Sequence, residues 1–251
     1  MSGHSKWSTI KHKKAATDAK RSKIFTKLSK EIIVAAKHGE SDPEMNFRLR
    51  MAIQTAKDNN MPAENIERAV KKGSGEGSDG DTMAELIYEG YGPGGVGIML
   101  EILTDNRNRT VSNIRSTLTR AGGNMAESGA VAWQFEQKGV IIIEATETES
   151  EEIALIAIEQ GASDFETYDG SLHIYSDPSN LEVIRTALLN TNVHITSTEL
   201  SMVPSSTVML ETTKALQTLK LLDNLEELED VQKVYSNADF PEDALENFEV
   251  A

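Results

Sequence analysis

The chain has 251 residues, with 25 Lys and Arg against 40 Asp and Glu for a formal charge of −15, and it has no cysteine. Without a thiol there is no disulfide framework, cysteine nucleophile or cysteine-bearing zinc site. The length exceeds that of a usual single domain, so more than one core is expected. No stretch approaches the roughly 20 apolar residues of a membrane span. The opening Met1-Ser-Gly-His-Ser-Lys-Trp-Ser-Thr-Ile10 lacks an apolar run of signal-peptide length, so a soluble cytoplasmic protein is the expectation.

In chain order, Lys13 to His38 reads as a helix, with Ile24, Leu28, Ile32 and Ala35 on one side and Gly39 as a stop. A second helix is predicted from Asp42-Pro43, with Asp42 as N-cap and Phe47, Ala52, Ile53 and Ala56 inward, until Asn60-Met-Pro62 interrupts. A third opens at Pro62, turns Ile66, Ala69 and Val70 inward and ends in Lys71-Lys72-Gly73, where cations suit the negative end of the helix dipole. Gly73 to Asp81 (GSGEGSDGD) is only Gly, Ser and acids and reads as a flexible linker about which the head can pivot.

Beyond the linker, strands are predicted at Glu85 to Glu89 and Val96 to Leu103, then a helix through Val111, Ile114, Leu118 and Ala121. Next come strands at Val131 to Glu136 and Val140 to Glu144, a helix at Glu151 to Gln160, and paired strands at Phe165 to Tyr168 and Ser171 to Tyr175. A helix at Leu181 to Asn190 and a strand at Val193 to Thr196 complete a ferredoxin-like order. A strand at Val208 to Glu211, a helix through Ala215, Leu219 and Leu222, and a strand at Val231 to Tyr235 supply what the earlier ββα unit lacks. The predicted fold class is therefore α+β and multidomain: a basic three-helix bundle in 1–75, then two ferredoxin-like α/β domains. One of these is split between 80–130 and 205–240, and the other, 131–204, is inserted into it.

The charge is unevenly spread. Residues 1–72 hold 16 Lys and Arg against 8 Asp and Glu, which leaves 9 against 32 in 73–251, a head of +8 on a body of −23. That polarity points to a polyanionic partner, nucleic acid first, because cations facing phosphates release condensed counterions. At 100° per residue Lys13, Lys20, Lys23, Lys27, Lys30 and Lys37 fall in one stripe of the first helix, about 36 Å long, beside its apolar side. Lys6, Lys11 and Lys14 extend it, and Trp7 either anchors the arm to a core or stacks on an unpaired base. The plain alternative is a solvated lysine face.

In the body, Asp105-Asn-Arg-Asn-Arg109 sits where a strand hands over to a helix. Arg107 and Arg109 there are a candidate second contact with phosphates, unless they pair with neighbouring acids while Asp105 and Asn108 cap turns. Gly90 to Gly97 (GYGPGGVG) lacks the Gly-Lys-Ser/Thr ending of a phosphate loop and reads as a tight hairpin. His4 and His12 lie among lysines and His38, His173 and His194 are scattered, so no metal site and no cofactor is expected. No hydrolase, zinc-protease or nucleotide-binding motif appears, which argues against an enzyme. The acid run Glu226-Glu-Leu-Glu-Asp230 reads as a solvated helix end.

Several strings are recognisable. Gly3-His-Ser-Lys-Trp-Ser-Thr-Ile-Lys-His-Lys-Lys-Ala-Ala16, Tyr88-Glu-Gly-Tyr-Gly-Pro-Gly-Gly-Val96, Thr104-Asp-Asn-Arg-Asn-Arg-Thr-Val111 and Val234-Tyr-Ser-Asn-Ala-Asp239 resemble the YebC/PmpR family, and further matches cover nearly the entire chain. The resemblance implies a three-domain cytoplasmic protein labelled a probable DNA-binding transcriptional regulator. It also implies a rival role, since a mitochondrial relative resembles a translational activator and bacterial members have been linked to stalled ribosomes, so that ribosomal RNA is the alternative partner. A small-ligand-binding or enzymatic protein is a third class, supported by fold analogy alone.

Overall fold

A computed structural model describes residue 6 and residues 18–75, 83–191 and 193–249. The head contributes α1 (Asp18–Lys37), α2 (Phe47–Asp58) and α3 (Ala63–Gly73). There follow β1 (Ala84–Tyr91), β2 (Gly97–Thr104), α4 (Arg107–Arg120) and β3 (Asn124–Met125), then β4 (Phe135–Glu144), α5 (Glu147–Glu159), β5 (Ala162–Tyr168), β6 (Ser171–Ser176), α6 (Leu181–Leu189) and β7 (Ile195–Pro204). The chain closes with β8 (Val208–Met209), α7 (Thr212–Glu226), β9 (Val231–Ser236), β10 (Ala238–Asp239) and α8 (Glu242–Glu249). The whole is α+β and multidomain.

The three head helices close on one apolar cluster in which Ile32, Ala35, Leu49, Ala56, Ile66 and Ala69 are buried. Small residues let the helices approach closely. A Cβ at Gly73 would lie 2.5 Å from the Ile33 carbonyl oxygen and 2.7 Å from Ala36 Cβ, so glycine is what allows the end of α3 to lie on α1.

The second helix does not start where the sequence suggests. Asp42 accepts the Glu44 N–H at 2.9 Å in a local turn, and the N-cap of α2 is Asn46, whose Oδ1 accepts the Leu49 N–H at 3.0 Å. Asn46 takes the cap because its amide also donates to the carbonyls of Ala35 and Glu40, each at 2.8 Å; an ionised carboxylate has no proton to give. Phe47, expected in the core, is 37% exposed with the Arg50 guanidinium 5.5 Å from its ring centre.

The described residues gather into compact units. One takes in Glu136–Val203, the other Ala15–Phe135 and Pro204–Ala251. In the second, β3-β1-β2-β9 form an antiparallel sheet, with Ile98, Leu100 and Ile102 of β2 buried along with Ile114 and Leu118 of α4 and Leu219 and Leu222 of α7. β8 and β10 pair in parallel beside it. In the first, the sheet order β5-β6-β4-β7 is that of a ferredoxin-like fold. Along paired β4 and β6, Ile141 and Ile143 lie opposite Ile174 and Leu172, while Val140, Ile142 and Tyr175 cluster with Val203 on the other face.

Predicted strands are corrected at two places. Val131 to Glu136 and Val140 to Glu144 are not separate strands; β4 begins at Phe135 and runs unbroken. Ahead of it the N–H groups of Gly129, Val131 and Ala132 donate to the buried Glu89 carboxylate at 2.6, 2.5 and 2.9 Å, so these donors are spent and cannot enter a ladder. Val208 to Glu211 shortens to Val208–Met209 because Glu211 is already the N-cap residue of α7.

Candidate nucleic-acid interface

α1 presents its lysines, but three of them are occupied. Lys23 Nζ donates to Glu227 Oε2 at 2.9 Å, Lys27 Nζ to the Glu226 carbonyl at 2.5 Å, and Lys30 Nζ to the Glu229 carbonyl at 3.2 Å and Asp230 Oδ1 at 3.3 Å. The acid run at the end of α7, expected as a solvated helix end, therefore meets the lysine stripe. Its carbonyls, left over where the helix stops, supply acceptors at the negative end of the helix dipole.

Asp230 is the centre of this contact. It is 6% exposed and takes Arg109 Nη2 at 2.9 Å and Thr110 Oγ1 at 2.8 Å on Oδ2. Burial by itself would push its carboxyl up, but the hydrogen bonds from Arg109 and Thr110, with the charge and hydrogen bond of Lys30, hold it below the usual carboxylate range. Arg109 also reaches Asp105 at 2.7 Å; its guanidinium is held more firmly protonated by the hydrogen bonds of Asp230 and Asp105. Asn106, not Asp105 or Asn108, caps α4, its side chain accepting the Arg109 N–H at 3.1 Å.

A second tether joins the head to β1. Arg48 donates to Glu31 at 3.0 Å and to both oxygens of Glu85 at 3.1 and 2.7 Å, and His38 Nδ1 lies 2.9 Å from Glu85 Oε1. Burial disfavours charge on both partners, yet the pairing raises the pKa of Arg48 and lowers that of Glu85. Within this unit the head is bonded at two places, to the turn after α7 and to β1; residues 76–82 of the expected linker lie outside the described residues.

The remaining sequence candidates divide as follows. Lys37 is exposed and, among the described residues, its side chain has no hydrogen bond or ion pair; the same holds for Lys57, Lys71 and Lys72 of the head and for Arg107. Lys6 is 8% exposed. Trp7, Lys11, Lys13 and Lys14, and the side chain of Lys20, lie outside the described residues. Gly90 to Gly97 forms the expected hairpin around a 3-10 turn at Pro93–Gly95, with Gly94 and Gly95 at φ 82° and 80°. Among the described residues no group of His, Asp or Glu has the geometry of a metal site, and no helix is long and apolar enough to cross a membrane.

The sequence reading stopped at Arg109 and missed the rest of α4. Its fourteen residues, RNRTVSNIRSTLTR, contain four of the nine cations of 73–251 and no acid. Thr110, Ile114 and Leu118 are buried, while Arg115 and Arg120 are exposed and, among the described residues, unpaired. Together with Asn108, Ser112 and Ser116 they line a shallow depression along the helix. An acid-free run of this length in so acidic a body was the available signal.

The sequence matches the family models for the TACO1/YebC protein N-terminal domain over residues 5–76 and the TACO1/YebC second and third domain over residues 83–238. It is 55% identical over 248 residues to a probable transcriptional regulatory protein of Dehalococcoides mccartyi, covering 99% of this chain and 98% of that one. A protein of the same name from Natranaerobius thermophilus is 51% identical over 249 residues, covering 98% and 99%. The crystal structure of a conserved hypothetical protein from Aquifex aeolicus superposes with a TM-score of 0.84 at 47% identity, over 93% of this chain and 96% of that one.

Proposed function

Because this chain belongs to the TACO1/YebC family, we propose that it is a non-enzymatic regulatory protein that works by binding nucleic acid in the cytoplasm. Duplex DNA is the partner that the relatives' name, probable transcriptional regulatory protein, supports. The observation that carries the reading is the survival of exposed cations unpaired among the described residues, Lys37, Lys57, Lys71 and Lys72 on the head and Arg107, Arg115 and Arg120 on α4, in a chain of net charge −15. Elsewhere an acidic surface repels polyanions; these positions attract them, and the contrast orients the encounter. By sequence alone, Lys11, Lys13, Lys14 and Lys20 add positive charge to the head that is proposed to contact nucleic acid.

One observation favours a second reading, regulation through RNA: the hydroxyl-bearing side chains that lie between the arginines of α4. Ultraviolet cross-linking in cells, with sequencing of both attached DNA and attached RNA, separates the two. Discrete promoter DNA is the outcome expected of a transcriptional regulator, and discrete structured RNA is that expected of a translational one. Recovery of neither overturns nucleic-acid binding as the function.

A further inference from the structure

We infer that the face of the β5-β6-β4-β7 sheet turned away from α5 and α6 is the seat of the chain's own N-terminal arm, residues 1–14. The inference concerns the protein without a partner and stands apart from the nucleic-acid reading above.

Both faces of this sheet are buried, but they are covered differently. Residues directly opposite each other in an antiparallel ladder share a face. Gly139, Ile141 and Ile143 pair with Ser176, Ile174 and Leu172, and a Cβ at Gly139 would lie 2.9 Å from Leu181 Cβ of α6, which puts the helix layer on this side. On the other side Val140, Ile142 and Glu144 pair with Tyr175, His173 and Ser171, and β5 adds Asp164 and Glu166 beside Tyr175 and His173. Val140, Ile142, His173 and Tyr175 are each 4% exposed or less. Yet among the described residues the apolar cluster of this face adds only the partly buried Val203, and one valine cannot keep water from a surface that runs across β4 and β6. The rest of the cover belongs to this chain, because the burial is that of a single molecule.

The arm has the chemistry that this face lacks. Lys6 falls in the same compact unit as Glu136–Val203 and is itself buried, a depth that lysine reaches only with a covering surface and a partner. Residues 1–14 contain Lys6, Lys11, Lys13 and Lys14, the apolar Trp7 and Ile10, and no acid, whereas residues 136–203 hold 13 Asp and Glu against Lys138 and Arg185. The sheet face repeats that match on a smaller scale. Val140, Ile142 and Tyr175 form its apolar centre, and Glu144, Asp164 and Glu166 stand at the rim, the first two exposed and the third accepting from the Tyr175 hydroxyl at 3.3 Å. An arm seated here would set apolar side chains on the centre and cations on the rim. A polyanion would then reach these lysines only by displacing carboxylates.

The test uses Trp7 as its reporter. The chain has two tryptophans, and Trp133 is exposed, so Trp133→Phe leaves Trp7 alone in an otherwise intact chain. Its emission should be blue-shifted from that of free tryptophan and weakly quenched by acrylamide. Adding Glu144→Lys/Glu166→Lys should shift the emission to the red and raise quenching several-fold, whereas Glu151→Lys/Glu152→Lys, the same charge change at exposed positions of α5, should leave both unchanged; all three proteins should melt within a few degrees of one another. A second readout is carbethoxylation of His173 with diethyl pyrocarbonate, scored by mass spectrometry against the exposed His194. His173 should be unreactive in the full chain and reactive in a chain that begins at Ala15. A solvent-exposed Trp7, equal responses to the two charge reversals, or a His173 that stays unreactive in the folded shortened chain overturns the inference. The fluorescence variants keep the arm and decide the matter even where the shortened chain fails to fold.

Discussion

α1 and α4 are both basic helices in one compact unit, and they use their charge differently. α1 carries a stripe of lysines that a helical wheel marks as the natural face for a polyanion, yet Lys23, Lys27 and Lys30 are bonded to the acidic turn after α7. α4 has fewer cations, and of its four arginines it commits Arg109 alone, among the described residues, to an acidic partner. A count of charges measures attraction at long range; contact needs cations that are not already satisfied. Lys23, Lys27 and Lys30 thus do structural work in α1, while in α4 Arg109 alone does so and Arg107, Arg115 and Arg120 have no acidic partner among the described residues.

Asp230 is the group on which that contrast turns, and Asp230→Ala is the substitution with the largest expected effect. It removes the acceptor of Lys30, Arg109 and Thr110 together. Breaking a buried pair costs about 3–5 kcal/mol, but the Arg109 side chain is 47% exposed and water can take over part of its hydrogen bonding. A loss of about 2 kcal/mol in urea unfolding is expected. Arg115→Gln/Arg120→Gln should stay within about 0.5 kcal/mol of wild type in the same experiment. Equal losses in the two variants would erase the distinction between the helices.

Acid titration sharpens the same point with a smaller effect. The Asp230 carboxyl lies below its unfolded value in the folded chain, so its contribution is complete above about pH 4 and is lost as pH falls through the folded pKa. The stability gap between wild type and Asp230→Ala should therefore be constant near neutrality and narrow below about pH 4. Glu89 shares the direction: burial opposes its charge, but the N–H groups of Gly129, Val131 and Ala132 hold its carboxyl low. Glu89 is untouched in the Asp230 variant and its effect cancels in the difference. A gap that widens on acidification would mean that Asp230 is not the carboxylate that matters.

Much of this architecture is legible in the sequence because it is local. Periodic Ile, Leu and Ala positions mark the helices, and the order of strands and helices after Ala130 identifies the ferredoxin-like unit. The features that resist prediction all depend on partners distant along the chain. Asn46 displaces Asp42 as a cap because Ala35 and Glu40 offer carbonyls to its amide. Val131 leaves the strand because Glu89, in a different strand, captures its N–H. The lysine stripe is visible as a pattern, but its occupation is not: Lys27 and Glu226 are 199 residues apart. Arg115 and Arg120 needed no structure to be noticed, since an acid-free helix in a body of 32 acids stands out by composition; what the structure adds is that they are unpaired among the described residues.

The smallest effect concerns Lys23, whose bond to Glu227 joins side chains 56% and 48% exposed. Such a pair gains little in water, so Lys23→Gln should cost less than about 0.5 kcal/mol, and nothing measurable at high salt. Its interest lies in binding. If the acidic turn competes with nucleic acid for this end of α1, then Lys23→Gln should weaken duplex binding less than Lys37→Gln, because Lys37 is exposed without a partner among the described residues and gives its full charge to a phosphate, whereas Lys23 must first part from Glu227. The two substitutions remove the same charge from the same helix, so any difference between them in a fluorescence-anisotropy titration with a labelled duplex reports how available each cation is. A larger loss for Lys23→Gln would mean that nucleic acid takes the lysine from Glu227, which would make the contact with the acidic turn a property of the unbound protein alone.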